Sequence, residues 1–238
     1  MKKFLVYIFL LAGVMVHAQL GTRIFGSDPI IHLENFDKQR VHWGYYLGFN
    51  SYDFKFDYKT PPAKDIKVQS TTGFNVGLIG NLRLNEHFDL RFEPGLAYTQ
   101  RNLTWTDERL TTSYDRLREV KSTYIHFPLL LKFSATRTGN IKPFLIGGVS
   151  RTLNFDAQEK VKDDNLTGDR FRMKTWTNNW EFGAGIDIYF EYFKFSPSIR
   201  GVFSFDDELI RDNDPNSPYT GNVASMKTRG VFVNFAFH

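Results

Sequence analysis

Ten ionisable side chains, Arg83, Asp89, Arg91, Glu93, Lys132, Lys142, Glu181, Asp187, Lys194 and Arg200, sit at alternate positions inside otherwise apolar stretches of the chain. Charges placed that way have three chemistries open to them: mutual pairing away from water, a narrow proton or ion path, or a catalytic carboxylate. Their signs nearly balance, and no spacing among them sets one carboxylate against another for acid–base work. Pairing is therefore the expected role, with Arg83, Asp89, Arg91, Glu93, Lys132, Glu181, Asp187, Lys194 and Arg200 forming a structural polar network in an enclosed interior. No catalytic, cofactor-binding or metal-binding residue is assigned. The chain has no His-Glu-x-x-His, no Gly-x-Ser-x-Gly and no Walker-type glycine loop. His126 stands alone on its face, and one imidazole is not a metal site. Asp212, Asp214 and Asn216 open like a calcium loop but lack its glycine and terminal glutamate, so that loop reads as solvated. The absence of cysteine excludes disulfides, thiolate metal sites and a cysteine nucleophile. The expectation is a protein that is not an enzyme and carries no cofactor.

The elements that must hold these charges alternate with period two. Phe88, Leu90, Phe92, Leu96 and Tyr98 interleave with Asp89, Arg91, Glu93, Ala97 and Thr99, as a pleated strand requires when its faces meet different solvents. Such stretches occur at 41–50, 73–84, 88–101, 123–134, 141–153, 178–190, 193–205 and 226–237. Most have the length of a tilted strand crossing a bilayer and exceed the five or six residues common in soluble sheets. After Phe49 the apolar phase moves to Tyr52, Phe54 and Phe56, which predicts a bulge or an exit from the sheet near Asn50 and Ser51. The connections 85–87, 136–140 and 191–192 are short, whereas 57–72, 102–122, 154–177 and 206–225 are long and polar. This asymmetry predicts an all-β, eight-stranded antiparallel up-and-down transmembrane β-barrel with long extracellular loops and short periplasmic turns. A secreted barrel with an apolar lumen would alternate in the opposite sense. Trp105 and Trp176 border long loops, where aromatic residues commonly mark the membrane interface.

The amino terminus reads as a signal peptide over residues 1–18. Lys2 and Lys3 precede the apolar run 4–16, and Val16-His17-Ala18 forms a small-residue cleavage site. Thirteen residues fall short of the roughly 20 that a spanning helix needs. Residues 19–40 then form a periplasmic N-terminal segment and 41–238 the barrel. Without the two signal lysines the formal charge drops below +4, and the basic residues are scattered, so no nucleic-acid partner is expected. Eight strands enclose a space that side chains can fill, which makes a diffusive pore and a small-molecule substrate unexpected. The alternating C-terminus Val231-Phe232-Val233-Asn234-Phe235-Ala236-Phe237-His238 resembles an outer-membrane insertion signal, with His238 following the usual terminal aromatic.

Two segments carry a wider resemblance. Tyr124-Ile125-His126-Phe127-Pro128-Leu129-Leu130-Leu131-Lys132-Phe133, followed by Lys142-Pro143-Phe144-Leu145-Ile146-Gly147-Gly148, is similar to the fourth and fifth strands of a broad superfamily of small outer-membrane barrels. The segment Asn35-Phe36-Asp37-Lys38-Gln39-Arg40-Val41-His42-Trp43-Gly44-Tyr45-Tyr46-Leu47-Gly48 resembles the opening of the PorT family, and residues 179–187 fit as well. Many superfamily members carry an acidic residue where His126 stands. The PorT resemblance implies an outer-membrane protein needed for type IX secretion and, in gliding relatives, for motility, with outer-membrane lipid and other secretion-system proteins as partners. It carries over no catalytic residue. The rival expectations are a lipid-modifying barrel enzyme and a structural or adhesive barrel whose loops bind partners.

Overall fold

In the computed structural model, residues 30–61, 65–107, 109–110, 112–161 and 171–238 are described. The expected signal peptide and residues 19–29 of the expected periplasmic segment lie outside them. Among the described residues ten strands follow one another: β1 (Val41–Tyr58), β2 (Lys67–Ser70), β3 (Thr72–Arg83), β4 (Phe88–Phe92), β5 (Gly95–Thr104), β6 (Leu117–Ser134), β7 (Ile141–Asn154), β8 (Trp176–Tyr189), β9 (Lys194–Ser204) and β10 (Val223–Phe237). They make eight staves. β2 and β3 form one line, stepping by a residue at Thr71. β4 and β5 form another, keeping one register against β3 and β6 through Pro94. Every neighbouring pair is antiparallel, and β1 pairs with both β10 and β3 at the level of residues 41–51, so the sheet closes on itself there. Beyond that level β1 pairs only with β10, residues 223–228 of β10 only with β1, and β2 only with β5. The short connections lie at the end where β1 begins and β10 finishes, and the long ones at the other.

The alternation has the sense that a membrane requires. Phe92 is 45% exposed, whereas Arg91 and Glu93 are each 3% exposed. Leu47, Phe49, Leu129, Leu131, Phe182 and Ile199 likewise face outward, while Asn75, His126, Lys132, Glu181, Asp187 and Arg200 face the lumen. A lumen-facing apolar set, as in a secreted ligand-binding barrel, is excluded at these levels.

The bulge expected near Asn50 is not there. β1 continues in unbroken register with β10 until Asp57 and Tyr58. What changes is the environment: Tyr52 and Phe54 keep the inward phase of Tyr46 and Asn50 and are buried, while the outward positions become Ser51, Asp53, Lys55 and Asp57. β10 changes at the same height, where Arg229 donates to Asp53 through Nε at 2.9 Å. β5 and β6 change too, past Tyr98 and Ile125, with Gln100, Asn102, Thr123 and Lys121 outward. The inversion marks where the staves leave the hydrocarbon. Residues 51–58 alone extend about 25 Å along the strand beyond it, at roughly 3.3 Å per residue. The loops are correspondingly shorter than expected, because β1, β2, β5 and β6 occupy much of 51–70 and 101–122.

The ladder bond that Pro128 cannot make is replaced by a side chain. Glu93 N–H bonds Pro128 O at 3.3 Å, and Pro128 has no N–H to return. The freed Glu93 carbonyl accepts from Tyr46 Oη at 3.5 Å instead. Gly77 and Gly95 leave room for that tyrosine, since a Cβ at either would collide with its ring or hydroxyl.

Candidate functional site

The strongest concentration of functional groups is the lumen. One connected chain runs along and across it. Thr152 Oγ1 lies 3.0 Å from His126 Nδ1, and His126 Nε2 lies 2.6 Å from Glu181 Oε1. Arg200 donates to Glu181 Oε2 at 3.0 Å and to Glu93 Oε2 at 2.5 Å, so one guanidinium bridges two carboxylates. Arg91 Nε approaches Glu93 Oε1 at 3.3 Å, and its Nη2 reaches His238 Nε2 at 2.8 Å. A second group joins Lys132 Nζ to Asp187 Oδ2 at 2.5 Å and Ser196 Oγ to Asp187 Oδ1 at 2.6 Å, with Lys132 4.0 Å above the Phe144 ring. Asn75 links Asn50 and Asn234 from opposite sides. Removing charges from water is costly, and this geometry offsets the cost by giving each named carboxylate at least one cationic partner.

Of the nine residues expected in the network, Arg91, Glu93, Lys132, Glu181, Asp187 and Arg200 are brought together in these contacts. Lys194 is buried nearer the short-turn mouth, 4.8 Å over the Phe36 ring. Arg83 and Asp89 stand opposite each other at the rim, half-buried, and Arg83 Nε donates to Asn85 O at 3.2 Å. They line the mouth beside Lys194 and Asp187 and take no part in the central chain.

With Nε2–H donating to Glu181, Nδ1 of His126 accepts from the Thr152 hydroxyl, whose oxygen takes Asn179 Nδ2 at 2.9 Å. A hydroxyl, imidazole and carboxylate in that polarity is the arrangement of a nucleophile relay. Here the space beside Thr152, bounded by Tyr52, Tyr124, Asn179, Glu208 and Thr228, holds about one water. Arg200 also occupies the second oxygen of Glu181. The same atoms thus form a satisfied interior with no room for a substrate.

Residues 18–209 match the model of a family described as "Outer membrane protein beta-barrel domain". The chain belongs to this family. Its place is therefore the outer membrane. Among solved structures it is similar in fold to OprG from Pseudomonas aeruginosa, at 14% identity and TM-score 0.44, covering 83% of this chain and 93% of that one. It is also similar to the outer membrane protein AlkL, solved in DMPC bilayers, at 11% identity and TM-score 0.43, covering 84% and 91%. Ail of Yersinia pestis gives 9% identity and TM-score 0.34, covering 84% and 98%. No curated protein matches the chain.

Among the described residues, both ends of this outer-membrane barrel carry packed structure across the lumen. At the short-turn end, residues 30–39 fold back against the mouth as a cork, with a single 3-10 turn at Phe36–Lys38. Asn140 accepts His32 N–H at 2.9 Å and donates to Ile30 O at 2.8 Å, while Arg137 binds the carbonyl of His32. Asp37 accepts from Tyr189 Oη at 2.6 Å and pairs with Lys142 at 3.5 Å. Phe36 stacks on His42 at 4.6 Å. Residues 30–39 of the expected periplasmic segment 19–40 thus pack against the short-turn mouth. Burial works against the Asp37 carboxylate, but the Tyr189 hydroxyl, Lys142 and Lys194 together hold it below the ordinary carboxylate range. A carboxylate depressed in the docked state stabilises docking above the ordinary range, and that contribution disappears as pH falls through the depressed value. Asp37→Asn is expected to raise the undocked population about tenfold, the scale of one charge-assisted hydrogen bond. The readout is the trypsin cleavage rate at Lys38 and Arg40, and an unchanged rate would show that Asp37 does not hold the cork.

At the outer end the long loops are packed, not merely solvated. Trp105, Phe171, Met173, Leu209 and Tyr219 converge on Phe54, Leu103, Val120 and Met226 of the projecting staves. Trp105 Nε1 donates to Tyr219 O at 3.0 Å, and Arg118 to Tyr219 Oη at 2.8 Å. Two sequence expectations are corrected here. Trp105 is buried in this cap instead of marking the interface, because its stave has already left the membrane. Asp212 is buried as well: it receives Arg172 at 3.2 Å, Ser217 Oγ at 2.5 Å and Thr220 Oγ1 at 3.1 Å, so its carboxylate closes a loop and is not left to solvent. Trp176 is exposed, with Arg151 4.7 Å over its ring. Beneath the cap Arg101 is fully buried, stacked 3.9 Å over Phe54 and donating to Ser122 and Tyr124. Arg101 and the cap escaped the sequence reading; the phase change at Tyr52 was the available signal.

Proposed function

We propose that this outer-membrane barrel conducts nothing through its lumen and serves protein export by the type IX system, and gliding where that occurs, through contacts with other secretion proteins. The observation that carries the first half is occupancy. Among the described residues the cork, the chain from Thr152 to His238 and the apolar cap fill the lumen at three levels. The second half rests on the PorT resemblance of residues 35–48 and 179–187. A barrel with a filled interior has only its outer crest, its lipid face and its amino-terminal segment to offer a partner. Because residues 30–39 are engaged in the cork, residues 19–29 are the part of that segment assigned to partner contact.

Deleting the gene and measuring export of type IX cargo tests the reading. Export is expected to fail and to return with the intact gene, and normal export in the deletion strain would defeat it. Restoring a copy that lacks only residues 19–29 then separates that contact from the others. A second reading, a surface-binding barrel, draws on the rigid crest that the projecting staves and packed loops present. Exchange of the outer loops with loss of cell or host binding and intact export would favour it. A lipid-modifying enzyme would need the Thr152, His126 and Glu181 line to open to the outer rim, and the cap stands over it.

A further inference from the structure

Two grooves adjoin along the start of β1 on the outside of the barrel, and their chemistries differ. The one at the short-turn rim, about 450 Å³, is lined by Lys38, Arg40 and Arg83 with Leu82, Leu84 and Glu86. The other, about 640 Å³, lies deeper on the lipid face between Trp43, Tyr45, Leu78, Phe193 and Phe237. The rim groove carries three cations against one carboxylate. Lys38 and Arg40 are exposed, and among the described residues neither lies within ion-pair distance of an acid. Lys38 Nζ reaches only Asn35 Oδ1, at 2.9 Å. Arg40 is held in place by its backbone, whose carbonyl takes Arg83 N–H at 2.8 Å. In the deeper groove Trp43 is 76% exposed and leans over Gly80, where a Cβ would stand 3.2 Å from its ring. Tyr45 stacks on Phe237 at 5.4 Å, and Phe193 closes against the same ring at 6.2 Å.

We propose that the two grooves bind one anionic glycerophospholipid of the periplasmic leaflet, its phosphate headgroup against Lys38, Arg40 and Arg83 and one acyl chain along Trp43, Tyr45, Leu78 and Phe237. The dimensions agree. Leu82 and Leu78 are four residues apart on β3, about 13 Å along the strand, the depth from a headgroup layer into hydrocarbon. Basic side chains at that layer favour anionic over zwitterionic heads, and the neighbouring apolar groove lets the same molecule contribute a chain. The inference is independent of the export reading, since it concerns only how the barrel sits in its leaflet.

Native mass spectrometry of the full-chain protein, released from nanodiscs of equimolar phosphatidylglycerol and phosphatidylethanolamine, tests it. The wild type is expected to retain one phosphatidylglycerol in preference to phosphatidylethanolamine. Lys38→Gln with Arg40→Gln should lower that preference about fivefold per charge removed. Glu86→Gln should raise it. Trp43→Ala should reduce retention of both lipids while leaving the preference between them. Both double-variant positions are exposed, so the barrel stays folded and a null result is interpretable. Equal retention of the two lipids by the wild type, or an unchanged preference in the double variant, would overturn the proposal.

Discussion

Arg200→Ala is expected to cost the barrel about 3–5 kcal/mol, the scale for breaking a buried ion pair by removing one partner. Arg200 is the hinge of the lumen chain: its two terminal nitrogens serve Glu181 and Glu93, and both carboxylates lie in the interior. Removing the guanidinium leaves each with a weaker set. Glu181 keeps His126, and Glu93 keeps Arg91 at 3.3 Å. The measurement is urea unfolding of the protein in lipid vesicles, followed by tryptophan fluorescence. A companion variant decides what the loss means. With Glu181→Gln added to Arg200→Met, one cation and one carboxylate leave together while Glu93 keeps Arg91, and most of the lost stability should return, because a buried pair is seldom better than a neutral core of the same volume. An Arg200→Ala protein within about 1 kcal/mol of wild type would show that water reaches these groups and that the lumen is not closed.

How much of this was legible in the sequence depended on the range of the interaction. The stave between Phe88 and Arg101 could be read from alternation alone, since the pleat fixes which side chain points where. The sense of the alternation followed from strand length and loop asymmetry. Which charge pairs with which could not be read: Arg200 meets Glu93 from 107 positions away, and that meeting depends on how the closed sheet staggers its staves. Arg83 and Asp89 were placed in the network because they share its inward phase. Phase gives a face but not a height, and both stand at the rim.

The outer end was misread for a related reason. The shift at Tyr52 is real, but period-two patterns report the contrast between two faces, and that contrast reverses where the stave leaves lipid for water. A polar exterior with an apolar interior then looks like a slipped register. The cap was hidden further because its anchors are single residues in polar strings. Trp105, Phe171 and Tyr219 come from three loops and show no periodicity before the barrel brings those loops together.

Trp105 provides the sharpest test of the cap. Its indole is 3% exposed, lies 5.8 Å from the Phe171 ring and 5.4 Å from the Tyr219 ring, and donates to the Tyr219 carbonyl. Trp105→Ala should therefore cost about 3–5 kcal/mol. The loss should appear as opening of the cap and not as unfolding of the barrel, whose ladders lie below it. Trypsin should then cut quickly after Arg172, Lys174 and Arg211, while the staves remain protected. Trp105→Phe keeps a ring and loses the hydrogen bond, so its cost should be near 1 kcal/mol. Trp176→Ala is the control, because that indole is exposed on the outside of β8 and anchors no loop. If the long loops were simply solvated, as their charge content suggests, Trp105→Ala and Trp176→Ala would be cleaved alike. Faster cleavage of Trp105→Ala alone means that the outer end is a packed lid, and that whatever the protein binds there meets a fixed surface.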